Sequence, residues 1–226
     1  MDTALATHAV RAAQAAETPK RPRGRPPKTL DERDDGNRRQ ALLKASAKLF
    51  RRKGFGATTT RDIAAAVGMQ SGSPFYHFAS KGELLFAVVE EGMHSALERQ
   101  ASVLAECAAQ GAGPSDMLRR LIRAHFDTLH GRGRDFIPVM LYEWRSLDAR
   151  QRTRIAKLQR DYEVVWHPVL DALASTGLLK GDVHLARLLI FGALNWSAQW
   201  FDAKKNASLD GLTDAAMALF IHPHPP

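Results

Sequence analysis

The chain has 226 residues, enough for one large domain, or a small and a medium one, around a real buried core. Its 32 Lys+Arg against 24 Asp+Glu give a formal net charge of +8, which favours a polyanionic partner over an acidic substrate pocket. A single Cys107 excludes an internal disulfide and fits a reducing compartment, so a cytoplasmic location is expected.

Residues 1–35 read as a disordered tail, Ala-rich and then Pro- and charge-rich, with no apolar periodicity to bury. Asp2 and the mid-stretch Arg11 interrupt the continuous apolar run that a signal peptide needs, so no export is expected. The basic excess has a definite place. Residues 20–61 carry a net charge of +10 out of the chain's +8, so the remainder sums to −2. Within this segment lies "KRPRGRPPK", residues 20–28, with five basic residues and no acid. Its centre, Arg23-Gly24-Arg25-Pro26, resembles the AT-hook. Gly lets the backbone approach a groove floor, the prolines keep it extended, and two arginines then suit the negative potential of a narrow A·T minor groove. A basic tail binding DNA unspecifically by counterion release is the alternative reading of the same residues.

Helical periodicity begins near Asn37. Leu42, Ala45, Leu49 and Phe50 recur at helical spacing, and Gly54 ends the helix after Arg51, Arg52 and Lys53. From Gly36 to Arg61 there are eight Lys/Arg and no acid, whereas a merely solvated face usually mixes signs. Such a face expects a polyanion. "TTTRDIAAAVG" follows: Thr59 or Thr60 can cap a short helix, Asp62 suits its first turn, Ile63 and Val67 form an apolar pair, and Gly68 ends it. "MQSGSPFYHF" then opens a second short helix, with Pro74 tolerated in or near the first turn. Two short helices joined by a tight Gly turn make a helix-turn-helix, whose second helix enters the major groove.

The joint pattern over residues 38–86 includes Leu49-Phe50, Gly54-Phe55, Asp62-Ile63-Ala64, Gly68-Met69, Phe78, Ser80-Lys81 and Leu84-Leu85. It resembles the DNA-binding domain of the TetR-like (tetracycline-repressor-like) transcriptional regulators. The resemblance implies an all-α protein with a three-helix DNA-binding head over residues 36–82 and a larger helical ligand-binding and dimerisation domain over residues 83–222. It also places DNA contacts on Thr60, Arg61, Ser71, Gly72, Ser73, Phe75, Tyr76, His77 and Lys81. Two positions depart from the family pattern. Pro74 stands where Leu is usual, and Phe75 stands where a Tyr often offers its hydroxyl to a phosphate, a role that Tyr76 could take over. Phe78 reads as core.

From Ser80 onward the pattern is helical, with breaks at "QGAGPSD", "HGRGRD" and "STGLLKGDV". Apolar stripes predict helices near 115–130 and 134–146 and a long one over about 149–176, kinked at Pro168. "DVHLARLLIFGALNWSAQWF" is apolar almost all round and must be covered on two sides. Its charge-free run of 14 residues falls short of the about 20 that a membrane span needs, so a homodimer interface is expected and no membrane partner. TetR-like proteins are similar in pairing their last two helices across a dimer.

Trp144, Tyr162, Trp166 and Trp196 are the candidate ligand-pocket residues, since aromatics on inward stripes combine an apolar wall with a polar handle. Plain core packing is their alternative. The second half also resembles the ligand domain of TetR-like regulators of lipid and steroid catabolism, which implies an acyl-CoA or other lipid-derived inducer, and Arg152, Arg154 and Arg160 would suit its anionic part. Cys107 and His125 read as core residues. No nucleophile elbow, phosphate loop or HExxH is present, and His222 and His224 sit in a Pro-rich tail, so no enzyme, cofactor or metal is expected. The expected function is a ligand-responsive repressor released from a palindromic DNA operator. The competing reading is an architectural protein of A·T-rich DNA that senses nothing.

Overall fold

The computed structural model describes residues 30–69, 74–131, 135–202 and 208–222. Among these the secondary structure is helical throughout. Helix α1 spans Leu30–Lys53, α2 Thr60–Ala66 and α3 Pro74–His77. The first helix starts about two turns earlier than its apolar periodicity, where by residue type Asp31 and Glu32 suit the positive end of a helix. Residues 30–35 are thus helical. Gly54, at φ +80°, ends α1 with its N–H on the Phe50 carbonyl at 2.8 Å. Leu42, Leu43, Ala47 and Phe50 face inward and meet Ile63 of α2 and Phe78 after α3.

Helix α4 (Lys81–Ala109) is long and carries both halves of the fold. Its first turns complete the head's core through Leu84 and Leu85, and its later turns pack against α5, α6 and α7. Helix α5 spans Pro114–His130, and α6 spans Phe136–Glu143 and runs into a short 3-10 turn, Trp144–Ser146. Gly92 of α4 allows a close crossing with α6, since a Cβ there would lie 2.7 Å from the Cβ of Phe136. The predicted long helix is two helices, α7 (Ala149–Val164) and α8 (His167–Ser175). Pro168 lacks an N–H and clashes with a preceding turn, so it opens α8 instead of kinking one continuous helix.

Helix α9 (Val183–Trp200) lies against α5 and α8, and α10 (Leu209–Phe220) lies along α5. On α9 the inner face holds Ile190, Phe191 and Leu194, while Leu185, Leu189, Trp196 and Trp200 are exposed on the other. Half of this helix thus stands uncovered within one chain. Cys107 is fully buried on α4.

Candidate DNA-binding surface and ligand cavity

The head is fixed by local chemistry. Thr59 caps α2 in a capping box: its hydroxyl accepts the Asp62 N–H at 3.1 Å, and the Asp62 carboxylate accepts the Thr59 N–H at 2.9 Å. That backbone hydrogen bond, followed by those from the Thr59 hydroxyl and Lys53, lowers the Asp62 pKa to about 2. Beyond α2, Gly68 adopts φ +69°, and the Met69 N–H returns to the Ala64 carbonyl at 2.8 Å, which turns the chain towards α3. Lys81 staples the assembly. Its ammonium donates to the carbonyls of Phe55 at 2.8 Å and Thr58 at 2.9 Å and stands 4.2 Å from the centroid of the Phe55 ring.

On the outer surface of the head, Tyr76 is 84 % exposed and its ring meets His77 edge-on at 5.4 Å. Arg61 is exposed at the start of α2, with Thr60 half-buried beside it. Lys44, Lys48 and Arg52 are exposed on α1 and form no ion pair among the described residues. The basic face is not wholly unpaired, however. Arg51 reaches Asp135 at 3.0 Å and Lys53 reaches Asp62 at 3.2 Å, two acids that lie outside the basic stretch or beyond its helix.

A second feature lies between α4, α5, α6, α7 and α9, where a small cavity of about 40 Å³ is walled by Met93, Ile137, Met140 and Phe191. Its polar end is built from His125, Tyr162 and Asn195. The His125 ring is 3.0 Å from the Tyr162 hydroxyl through Nδ1 and 3.1 Å from Asn195 Oδ1 through Nε2. Burial lowers the His125 pKa to about 4 and pushes that of Tyr162 up, so both are neutral at physiological pH. Helix α6 links cavity and head: Ile137 and Met140 line the former, while Glu143 Oε1 accepts the N–H of Phe55 at 2.8 Å in the latter.

Residues 42–88 match the family described as bacterial regulatory proteins, tetR family, and residues 111–223 match the tetracyclin repressor-like C-terminal domain. The chain belongs to the TetR family. It is a DNA-binding transcriptional regulator with the TetR fold. Among TetR relatives it is similar to the HTH-type transcriptional repressor KstR2 of Rhodococcus jostii (strain RHA1), 30% identical over 201 residues that cover 87% of this chain and 95% of that one. The solved structure of superantigen PfiT is 38% identical with a TM-score of 0.67 and covers 81% of this chain and 95% of its own. The TetR fold is shared too with AibR, solved in complex with isovaleryl coenzyme A and operator DNA, at 22% identity and a TM-score of 0.74, covering 82% of this chain and 99% of AibR. TetR membership favours the regulator over the architectural reading.

The sequence-predicted residues fall into several groups. Thr60, Arg61, Tyr76 and His77 lie together on the TetR head, whereas Arg23, Arg25, Ser71, Gly72 and Ser73 lie outside the described residues. Phe75 is in α3, with its side chain outside the described part. Lys81 holds the turn before α2 through two carbonyls. Of the four aromatic pocket candidates, Tyr162 alone lines the cavity. Trp166 is fully buried against Phe191, with ring centroids 4.7 Å apart, and Trp144 packs half-buried in the 3-10 turn. Trp196 is 64 % exposed, because two residues beyond the buried Leu194 lies the opposite face of a helix. Arg152 bonds the Leu147 carbonyl and Arg154 pairs with Glu90, while Arg160 is exposed; none of the three lines the cavity. His125 and Asn195 line the cavity although sequence reasoning did not name them for a pocket. Each is a polar residue inside an apolar helical stripe, and that was the only signal.

Proposed function

We propose that the chain is a homodimeric repressor released from a palindromic operator by a small amphipathic molecule. The observation that carries this reading is the double role of α6, which walls the cavity with Ile137 and Met140 and holds the head through Glu143. A ligand that fits only a widened cavity would displace α6 and with it the Phe55 amide, biasing the head by its differential affinity for the two states. The uncovered apolar face of α9, together with Leu219 on α10, fits a second copy of the chain across a two-fold axis.

In this reading Arg61, Ser71, Gly72, Ser73, Phe75, Tyr76 and His77 meet the major groove, Thr60 and Lys81 lie by the phosphates, and Arg23 and Arg25 enter a flanking minor groove. The protein acts in the cytoplasm, without catalysis. The inducer belongs to the acyl-CoA or lipid-derived class; AibR, solved with isovaleryl coenzyme A, and KstR2, described as a ketosteroid transcriptional regulator, are the relatives that suggest it. The cavity of about 40 Å³ is too small for such a molecule without movement, which suits a closed, operator-competent state. Titrating acyl-CoAs, fatty acids and steroid acids into the protein–operator complex tests the assignment. Release of DNA at micromolar ligand is expected, and failure of every compound would remove the lipid-derived class.

A further inference from the structure

The hydrogen-bond directions at the polar end of the cavity follow from its chemistry. His125 is neutral and carries one N–H. Asn195 turns its acceptor Oδ1 towards Nε2, so the ring proton is on Nε2. Nδ1 is then an acceptor, and the Tyr162 hydroxyl must donate its proton there. Burial keeps the phenol protonated, which secures this direction.

What remains for a ligand is what this relay does not consume. The Tyr162 oxygen retains lone pairs, and the Asn195 amide retains both hydrogens on Nδ2. Of the other polar groups around the cavity, the Thr128 hydroxyl donates to the Ala124 carbonyl at 2.9 Å and Glu163 is ion-paired with Arg187, while the Gln159 amide adds a further neutral donor and acceptor. Among the described residues the cavity therefore presents an acceptor and a donor side by side, with no cation in its lining, against a wall of Met93, Ile137, Met140 and Phe191.

We propose that this cavity receives the hydroxyl group of a neutral, largely apolar segment of the ligand, the hydroxyl donating to Tyr162 and accepting from Asn195. The proposal rests on the ligand-responsive reading above and specifies the chemistry of that site. A ketone would satisfy Asn195 and leave the Tyr162 oxygen unpaired, and an unmade buried hydrogen bond is costly. A carboxylate would face the Tyr162 lone pairs beside an Arg187 already paired with Glu163, with no other cation among the described lining residues to receive it, and burial penalises it further. The two methionines can change rotamer, so the apolar wall yields to an alkyl segment while the polar end stays fixed.

Matched six-carbon probes test this on the full-length protein: n-hexanol, methyl n-butyl ketone and hexanoate, with isotope-labelled methionine methyl groups reporting occupancy at Met93 and Met140. n-Hexanol is expected to shift both methyl signals and to bind about tenfold tighter than hexanoate, the ratio of roughly one lost hydrogen bond to a charged or buried group. Tyr162→Phe, checked for folding by its ligand-free methionine spectrum, is expected to abolish the advantage of n-hexanol over the ketone. The wild-type comparison stands alone if that variant does not fold. Hexanoate binding at Met93 and Met140 as tightly as n-hexanol would overturn the hydroxyl assignment. So would the absence of any shift with all three probes. Operator release by another compound would in either case leave the ligand-responsive reading intact.

Discussion

The head and the cavity are held together over different distances along the chain. In the head, the capping box joins Thr59 to Asp62, and Lys81 reaches back to Phe55 and Thr58 within a single short segment. Around the cavity, His125 meets Tyr162 at a separation of 37 residues and Asn195 at a separation of 70. The head is therefore specified mainly by near neighbours in the chain, with Glu143 on the Phe55 amide and Asp135 on Arg51 as its ties to α6 and the turn before it. The cavity exists only while four or five helices hold their relative positions, which suits the part of a regulator that must respond.

The largest effect separates the two tryptophans assigned to the pocket. Trp166→Ala empties a fully buried site and is expected to cost about 3–5 kcal/mol in urea unfolding. Trp196→Ala is expected to leave the unfolding of the single chain nearly unchanged and to weaken self-association measured by sedimentation. Equal losses from both would break the distinction between core and outer face. Next in size is Lys81→Met, which removes two hydrogen bonds from an ammonium group and should destabilise by about 2 kcal/mol, with a parallel loss of operator affinity as the turn before α2 loosens. Thr59→Ala should cost about 1 kcal/mol through its helix cap, with the cavity's methionine signals unmoved.

Acidity gives the smallest effect and places the two regions in different pH windows. His125 has its folded pKa lowered from 6.5 to about 4 by burial, so the unfolded chain binds the proton first. Its contribution is complete above about pH 6.5 and is lost as pH falls towards about 4, with roughly 0.7 kcal/mol going between pH 7 and 6. Asp62 has its folded pKa lowered from 3.8 to about 2, so the head keeps this contribution above about pH 3.8 and loses it as pH falls to about 2. Unfolding followed separately at the cavity and at the head should show the cavity loosening first. A common transition, with His125→Gln unchanged in its pH dependence, would contradict the assignment.

Much of the head was legible because its signals are local. Thr59, Asp62, Gly54 and Gly68 each announce a cap or a left-handed turn by residue type alone, and the apolar spacing of Leu42, Leu49 and Phe50 gives the buried face. The basic run was legible as composition, yet the ion pairs of Arg51 with Asp135 and of Lys53 with Asp62 need tertiary structure. Of the four aromatics read as pocket candidates, Tyr162 alone lies in the cavity wall. Aromatic content marks a buried stripe but not which of its members lines a void, so Trp166 went to the core and Trp196 to the surface. His125 read as core, and it is buried with both ring nitrogens bonded; its place at the cavity wall depends on helices far along the chain.

The central claim, a dimer that reads one operator through α2 and α3, is tested most directly by footprinting the full-length protein on the DNA flanking its own coding sequence. The account predicts a single protected inverted repeat with two half-sites about one helical turn apart, and an altered preference among operator variants for Tyr76→Ala or His77→Ala. Diffuse protection of A·T-rich DNA, unchanged by those substitutions and lost with Arg23→Ala/Arg25→Ala, would contradict it.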